Sequence, residues 1–504
     1  MMKKININLK KLFIFNVQLI IFIGIITSFT MLIIRVNILF NWFFLAFLYF
    51  INLLFTIVIY HQKRQTNAKM SWIYLILIFP VIGHAIFLTF GLMFINKYEV
   101  KLLNSKFYKI ENHLEVCNCQ TPENSPIGKL SKISKLKILK SNIDFYEEGY
   151  RFYQNLLNEI EKAQKSIFIV SYIIKKSEIS NEFISILKRK IDQGVEIKWL
   201  VDDFGAMFSQ KKELKKLAKL GAKVKFIGKI YYPFINAASF SRNHQKFIII
   251  DSQYVFSGGN NISDEYASLS VKYGHWIDLN YKITGPYVNA YNLHFIQFWD
   301  IIAREKLEVN KYLIDPKIYH GQSFRNDTLL VSDSPSLNHS EAEYYWLQMF
   351  GDAKESIIIS TPYFSLTNSL EKQMILALKR GVKIIIYIPG LPDKKLVYQV
   401  TLSQLATLID HGLEVRVFKD HFLHSKIGLI DHQIAWVGTN NLDSRSMFSQ
   451  YETMDVFYGN DVNKVAKIFE NYDKYCQIIK NSHELKENKT LITEFLANWT
   501  KPLI

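Results

Sequence analysis

The chain has 504 residues, 49% hydrophobic, 21% charged and 14% aromatic, which excludes a disordered protein and suffices for two or three domains. Lys+Arg total 61 against 45 Asp+Glu, and the formal charge of +16 favours anionic partners: nucleic acid, or a membrane rich in acidic phospholipid. The 3 cysteines, Cys117, Cys119 and Cys476, are too sparse for a disulfide scaffold, and no second Cys/His pair stands at zinc spacing from Cys117 and Cys119.

Residues 12–34 and 38–60 contain no charged side chain, and each reaches the ~20 residues that span a bilayer as a helix. A second span directly after the first, with no small-residue cleavage site, argues against a signal peptide. A third apolar run, 72–95, is interrupted by Pro80 and Gly83. Lys3, Lys4, Lys10 and Lys11 precede the first run, Lys63, Arg64 and Lys69 follow the second, and Arg35 lies between. The positive-inside rule therefore predicts a membrane hairpin with both ends in the cytoplasm. Lys97, Lys101, Lys106 and Lys109 after the third run suit a re-entrant hairpin bending at Pro80, which leaves the remainder of the chain cytoplasmic. The expected layout is a multi-pass anchor over 1–96 and a basic linker over 97–140.

From about residue 141 short β-branched runs alternate with helical stretches, the pattern of an α/β fold with helices on both faces of open sheets. Strands are expected at 166–174, 194–202 and 221–227, with helices at 181–193 and 208–220. The order recurs: strands at 356–364, 381–390 and 412–418, helices at 367–380 and 394–410. Gly221 and Gly412 fall at equivalent helix ends, where a left-handed cap favours glycine. The repeat predicts two homologous halves, 141–310 and 341–504, joined by a linker over 311–340. The helix at 208–220 carries five lysines, and Leu214, Leu217 and Ala218 on one face make it a solvated lysine face over an apolar one rather than a dedicated headgroup patch.

The same motif follows the third strand of each half, H-x-K-x4-D-x6-G-[GT]-x-N. One copy holds His244, Lys246, Asp251, Gly258, Gly259 and Asn261, the other His424, Lys426, Asp431, Gly438, Thr439 and Asn441. Histidine is 13 of 504 residues, so two copies at matching places in two repeats are not chance. His and Lys two apart on a strand share a face, and a pseudo-twofold axis would bring two of each into one site. Lysine ammoniums would neutralise a phosphate, with Asn261, Asn441 and Thr439 as further donors. One imidazole could attack phosphorus while the other protonates the leaving alkoxide and then deprotonates the incoming hydroxyl. This chemistry calls for no metal or other cofactor, and the chain has no H-E-x-x-H. Asp278 and Glu452, on the following strand in each half, are the candidate acids to fix the imidazole tautomers, and Asp251 and Asp431 are expected to brace the fold.

The paired H-x-K-x4-D motifs resemble those of the phospholipase D superfamily, and the chain as a whole resembles the bacterial cardiolipin synthases. The resemblance runs through SWIYLILIFPVIGHAIFLTFG (71–91), LVDDFGA (201–207), RNHQKFIIID (242–251), GGNNISDEY (258–266), STPYFSL (360–366), IPGLPDKKLVY (389–398) and FLHSKIGLID (422–431). It implies two phospholipase D-like α/β sandwich halves forming one active site behind a transmembrane helical anchor. It also implies exchange of a phosphatidyl group between two phosphatidylglycerols, giving cardiolipin and glycerol at an anionic membrane. His244 would be the nucleophile and His424 the acid/base, although the near-symmetry of the halves leaves that order open. Gly259 stands where many superfamily members have serine, so one donor is missing. No G-x-x-x-x-G-K-[ST] loop and no D-G-x2-A-R signature occurs, as expected if one phosphodiester is exchanged for another without a nucleotide. A phospholipase D releasing phosphatidic acid, another phosphatidyltransferase, a membrane-tethered nuclease and an inactive scaffold are the rival readings. The charge-free segments and the lack of a basic-aromatic strand-binding stretch count against nucleic acid. The insert IYYPFINAASF (230–240) is expected to meet the membrane interface, so serine at Tyr231, Tyr232 and Phe234 should impair turnover on bilayers more than on detergent-dispersed lipid.

Overall fold

The computed structural model describes residues 38–62, 64, 66–92, 95–114, 122–206, 210–230, 237–269 and 275–485, with Ile20, Ile23, Gly24, Thr27 and Ser28. Most of the first apolar run, Cys117, Cys119, Tyr231, Tyr232 and Phe234 lie outside the described residues. The chain divides into two compact units, 1–95 with 229–241 and 502–504, and 96–228 with 242–501.

In the first unit the helix Ile38–His61 carries large apolar side chains outward, Trp42, Phe43, Phe47 and Tyr49 among them. Its Trp42–His61 stretch is the one helix among the described residues long and apolar enough to cross a membrane. The third apolar run does not form one straight helix. It gives Thr66–Ile78, then a bend, then Ile82–Ile86 continuing as a π-helical turn over Phe87–Gly91. Pro80 cannot continue the ladder, and Val81 takes a left-handed φ of 71°. Gly83 permits the return: a methyl group there would stand 2.6 Å from the Leu75 carbonyl oxygen. Phe240, from the insert, packs edge-on against Phe90 with ring centroids 5.7 Å apart.

The second unit is built on one large sheet with two short two-stranded sheets beside it. Its first half contributes β1 Leu139–Tyr146, β2 Ser166–Ser171, β3 Glu196–Asp202, β4 Lys223–Ile227, β5 Arg242–Asn243, β6 Phe247–Ile250, β7 Tyr254–Gly258, β8 Trp276–Ile277 and β9 Asn280–Thr284. The second contributes β10 Asn326–Asp333, β11 Ser356–Ser360, β12 Phe364–Ser365, β13 Lys383–Pro389, β14 Glu414–Phe418, β15 Phe422–Leu423, β16 Ile427–Ile430, β17 Ile434–Gly438, β18 Leu442–Asp443, β19 Gln450–Gly459 and β20 Cys476–Ile479. The strand order is β20-β14-β13-β11-β16-β17-β19-β10-β1-β9-β7-β6-β2-β3-β4, so the halves run outward from the β10–β1 pair in mirrored sequence. β2–β3–β4 and β11–β13–β14 pair in parallel through helical crossovers, and the remaining pairs along the sheet are antiparallel.

Two departures from the sequence reading stand out. β10 lies inside the stretch read as a linker, 311–340, yet it is the strand on which the halves join. It pairs with β1 (Leu139↔Thr328) and with β19 over its full length (Asn326↔Gly459 to Asp333↔Glu452). Leu329 and Val331 are buried on one face while Leu330 packs on the other, which is why so polar a segment still seats in a sheet. Among the described residues of 97–140 there are two α-helices, Lys97–Leu103, capped by Asn96, and Pro126–Ser134, capped by Ser125.

Helices cover both faces. The core on one face draws residues from both halves and holds the helices Val288–Ala303 and Val462–Asp473. On the opposite face each half has its own core, under Gly149–Lys162, Glu178–Asp192 and Lys211–Leu220 in the first and under Glu341–Asp352, Asn368–Lys379 and Lys395–Ile409 in the second. In Lys211–Leu220, Leu214 and Leu217 are buried but Ala218 is exposed, so the apolar stripe is narrower than expected. Gly221 (φ 128°) and Gly412 (φ 102°) end equivalent helices in a conformation that costs other residues free energy.

Candidate active site

Each histidine reaches the site on a strand stub that leaves its own half. β5 pairs in parallel with the start of β19 (Arg242↔Gln450, Asn243↔Tyr451), and the His244 amide donates to the Tyr451 carbonyl at 2.9 Å. β15 pairs likewise with β8 (Phe422↔Trp276, Leu423↔Ile277), and the His424 amide donates to the Ile277 carbonyl at 2.7 Å. The stubs are related by the same pseudo-twofold that relates the halves.

The acids cross over too. His244 Nδ1 lies 2.9 and 3.1 Å from the carboxylate oxygens of Glu452, and His424 Nδ1 lies 2.6 Å from Asp278 Oδ2. Each imidazole is thus held by a carboxylate from the opposite half. The two acids are equivalent in register, each two residues ahead of the strand residue that pairs with the motif glycine (Gly258↔Asn280, Gly438↔Met454). The Lys246 ammonium donates to the His244 carbonyl at 2.6 Å; Lys426 does the same at its own histidine and also stands 2.9 Å from His424 Nδ1. Tyr172 borders His244, centroids 5.3 Å apart, while Trp276 (5.1 Å), Phe422 (5.5 Å) and Tyr266 (6.0 Å) border His424.

All six titratable side chains are buried. Burial, then the charges of Lys246 and Lys426, push His244 well below the usual imidazole range, with His424 contributing as well. Burial, then Lys426 and Lys246, do the same to His424. Burial brings Lys246 down to about 7 and Lys426 to about 8, against the opposing pull of Glu452 and Asp278. It raises Asp278 to about 6, with Lys426 opposing, and raises Glu452, with Lys246 opposing. Every group in the set is shifted by at least one group of the other half, so the two motifs form one electrostatic unit. A neutral imidazole donating its Nδ1–H to a carboxylate keeps a lone pair on Nε2, the form a nucleophile or general base needs.

The motif aspartates do not reach this unit. Asp251 (φ 51°) and Asp431 (φ 49°) sit at the far ends of β6 and β16. Asp251 accepts from the amides of Gln164, Lys165 and Ser166, and Asp431 from those of Lys354, Glu355 and Ser356, at 2.7–2.9 Å. They close hairpins, apart from the two histidines and two lysines of the set. The expected phosphate donors are also committed within the protein. Asn261 accepts from the Ile173 amide at 3.1 Å and donates to the Tyr266 hydroxyl at 2.6 Å. Asn441 donates to Ser446 Oγ at 3.2 Å. Thr439 Oγ1 accepts from the Thr453 amide at 3.0 Å and donates to the Thr453 carbonyl at 3.3 Å. Gly259 has a steric cause: a methyl group built on it would overlap both carboxylate oxygens of Asp278.

Sequence reasoning missed the support beneath His244. The buried Asp202 carboxylate accepts from the Asn243 amide at 2.8 Å and pairs with Arg242 at 3.2 Å, while Arg242 donates to the Gly228 carbonyl at 2.5 Å. A buried acid ending one strand and an arginine beside the motif were the available signal.

Against known families, residues 156–299 and 346–473 match the family described as "Cardiolipin synthase, PLD-like domain". Cardiolipin synthase 2 of Staphylococcus epidermidis is 29% identical over 434 residues, covering 83% of this chain and 88% of the relative. Cardiolipin synthase of Staphylococcus aureus is 30% identical over 436 residues (83% and 87%), and that of Oceanobacillus iheyensis 27% over 467 (89% and 96%). Among solved structures, phosphatidylserine synthase of Haemophilus influenzae superposes with a TM-score of 0.58 at 17% identity, covering 75% of this chain and 98% of that one, a likeness of fold. Each matched segment contains one complete copy of the histidine–lysine motif on its own half of the sheet, and the chain belongs to the cardiolipin synthase family of phospholipase D-like proteins.

Proposed function

We propose that the protein is a phosphatidyltransferase that converts two phosphatidylglycerols into cardiolipin and glycerol. The observation that carries the chemistry is the crossed pairing His244–Glu452 and His424–Asp278, with Lys246 and Lys426 in the same buried set. His244 Nε2 attacks the donor phosphorus, an N–P bond forms, and the P–O bond to the headgroup glycerol breaks. His424 supplies the proton that releases glycerol. It then takes the proton of the acceptor's hydroxyl, whose oxygen bonds phosphorus as the N–P bond breaks. The lysines offset charge developing on the phosphoryl oxygens. Two contacts favour this division of labour. His244 Nδ1 faces both oxygens of Glu452, which strengthens the ring as a nucleophile, whereas the Lys426 ammonium beside His424 Nδ1 makes the protonated form of His424 a stronger acid.

Residues 1–96 serve as a multi-pass anchor with the catalytic region on the cytoplasmic side; protection of the C-terminal region from protease in sealed cells would support this, and cleavage by external protease would reverse it. The activity is tested by incubating purified protein with phosphatidylglycerol labelled in its phosphate. Labelled cardiolipin with stoichiometric free glycerol supports the reading, and phosphatidic acid as sole product overturns it in favour of a hydrolase.

A further inference from the structure

The helix Lys97–Leu103 begins one residue after the cap Asn96, directly beyond the membrane-anchor segment in sequence, and it buries a carboxylate. Glu99 is 0% exposed and has three hydroxyl donors: Ser334 Oγ at 2.5 Å, Ser336 Oγ at 2.8 Å and the Tyr451 hydroxyl at 2.9 Å. A carboxyl group buried that deeply needs hydrogen-bond partners, and it loses the arrangement if one is withdrawn.

These donors bracket the site. Ser334 and Ser336 follow the end of β10, where Asp333 pairs with Glu452. Tyr451 is the residue before Glu452, and its carbonyl takes the His244 amide. One short stretch of β19 therefore fixes His244 twice, through the main chain at Tyr451 and through the carboxylate of Glu452. Glu99 fixes the side chain of Tyr451, which also packs on Phe298 with centroids 5.0 Å apart. The helix bearing Glu99 and the turn that follows it are anchored on the helix Val288–Ala303: Tyr98 of the helix and Tyr108 of the turn donate to Asp300 at 2.6 Å each, and Gln297 donates to the Leu102 carbonyl at 2.9 Å. Among the described residues His424 has no equivalent tie, since its amide partner is Ile277, whose side chain carries no hydrogen-bonding group.

We propose that Glu99 is a positioning residue for the reaction: through Tyr451 it sets the placement of His244, and so links the segment that leaves the membrane anchor to one of the two imidazoles. The inference rests on His244 being a reacting group.

The test is a double-mutant cycle in the full-length protein, with Glu99→Gln, Tyr451→Phe and both together. Each single change lowers kcat about tenfold with little effect on KM, because misplacing a reacting group acts on the chemical step. The double variant is no worse than either single one, because both break the same link. A role confined to stability gives losses that add, tracks the fraction of folded protein, and leaves kcat per folded molecule unchanged, which overturns the proposal. A second readout needs no turnover: the rate at which diethyl pyrocarbonate modifies each histidine, resolved by peptide mass spectrometry. His244 changes at least threefold in both single variants while His424 keeps its wild-type rate; equal changes at both, or none at His244, overturn the link. If wild-type protein makes no cardiolipin yet His244 alone responds, the proposed function fails and the Glu99 link stands.

Discussion

Burial decides the protonation of the basic side chains around the two imidazoles, and that fixes how activity should respond to pH. In the proposed exchange His244 must be neutral at Nε2 to attack, and it is depressed well below its usual range, so it stays competent through neutrality; His424 must carry a proton to release glycerol, and its own depression makes that form scarcer but a stronger acid. The lysines must be charged to receive phosphate, yet burial holds Lys246 at about 7 and Lys426 at about 8. Since a lowered amine loses its proton sooner as pH rises, kcat/KM should fall on the alkaline side between about 7 and 8, reporting the free enzyme. Bound phosphate stabilises the charged lysines, so the corresponding limb in kcat should lie at higher pH. Coincident limbs in the two profiles would contradict this assignment. Gly259 carries a second prediction at this scale. Serine there would regain the hydroxyl that the sequence pattern lacks, but it must displace the Asp278 carboxylate that orients His424. Gly259→Ser should therefore lower kcat by about 10²-fold, as expected for a misplaced acid/base; wild-type or improved activity would show that a missing donor, not a steric need, defines the position.

At the scale of elements, β19 does the most to make one site from two halves. It pairs with β10 and β17, receives β5 at its start, and presents Glu452 to His244. Further along, its buried Asp455 accepts hydrogen bonds from the first half's Tyr281 at 2.5 Å, Tyr287 at 2.6 Å and Tyr291 at 2.9 Å. Asp455→Ala strands three buried hydroxyls at about 1–3 kcal/mol each, so unfolding in denaturant should shift by several kcal/mol. Asp455→Asn, which keeps an acceptor oxygen, should lose less. Equal losses for the two variants would mean that packing volume, not hydrogen bonding, ties the halves here. The strands of each repeat were legible because β-branched runs flanked by glycine carry a strong local signal, as in 194–202 and 381–390. β10 was not, because Asn326-Asp327-Thr328 and Ser332-Asp333 are polar, and their burial depends on pairing with strands distant in sequence.

For the whole molecule, the sheet's mirrored order explains what the motif spacing alone could not. Matching offsets in the two copies implied that equivalent residues would be symmetry-related, and that much was readable from the chain. Which acid serves which histidine depends on the stubs β5 and β15 crossing the pseudo-twofold, and no local pattern encodes a crossing. The same limit applied to Asn261, Asn441 and Thr439, whose residue types suit phosphate but whose partners are other side chains and backbone groups in the buried structure. The crossing also means that neither half holds a complete imidazole–carboxylate pair alone. The most direct test of this account is to trap the covalent intermediate. His424→Ala protein is mixed with a p-nitrophenyl ester of phosphatidic acid, whose leaving group departs without a proton donor, quenched in alkali to preserve a phosphoramidate, and digested for mass spectrometry. The account predicts a phosphatidyl adduct on His244 that accumulates because no base remains to activate the acceptor hydroxyl. Turnover at the wild-type rate without an adduct, or an adduct on a residue outside the two motifs, would contradict it.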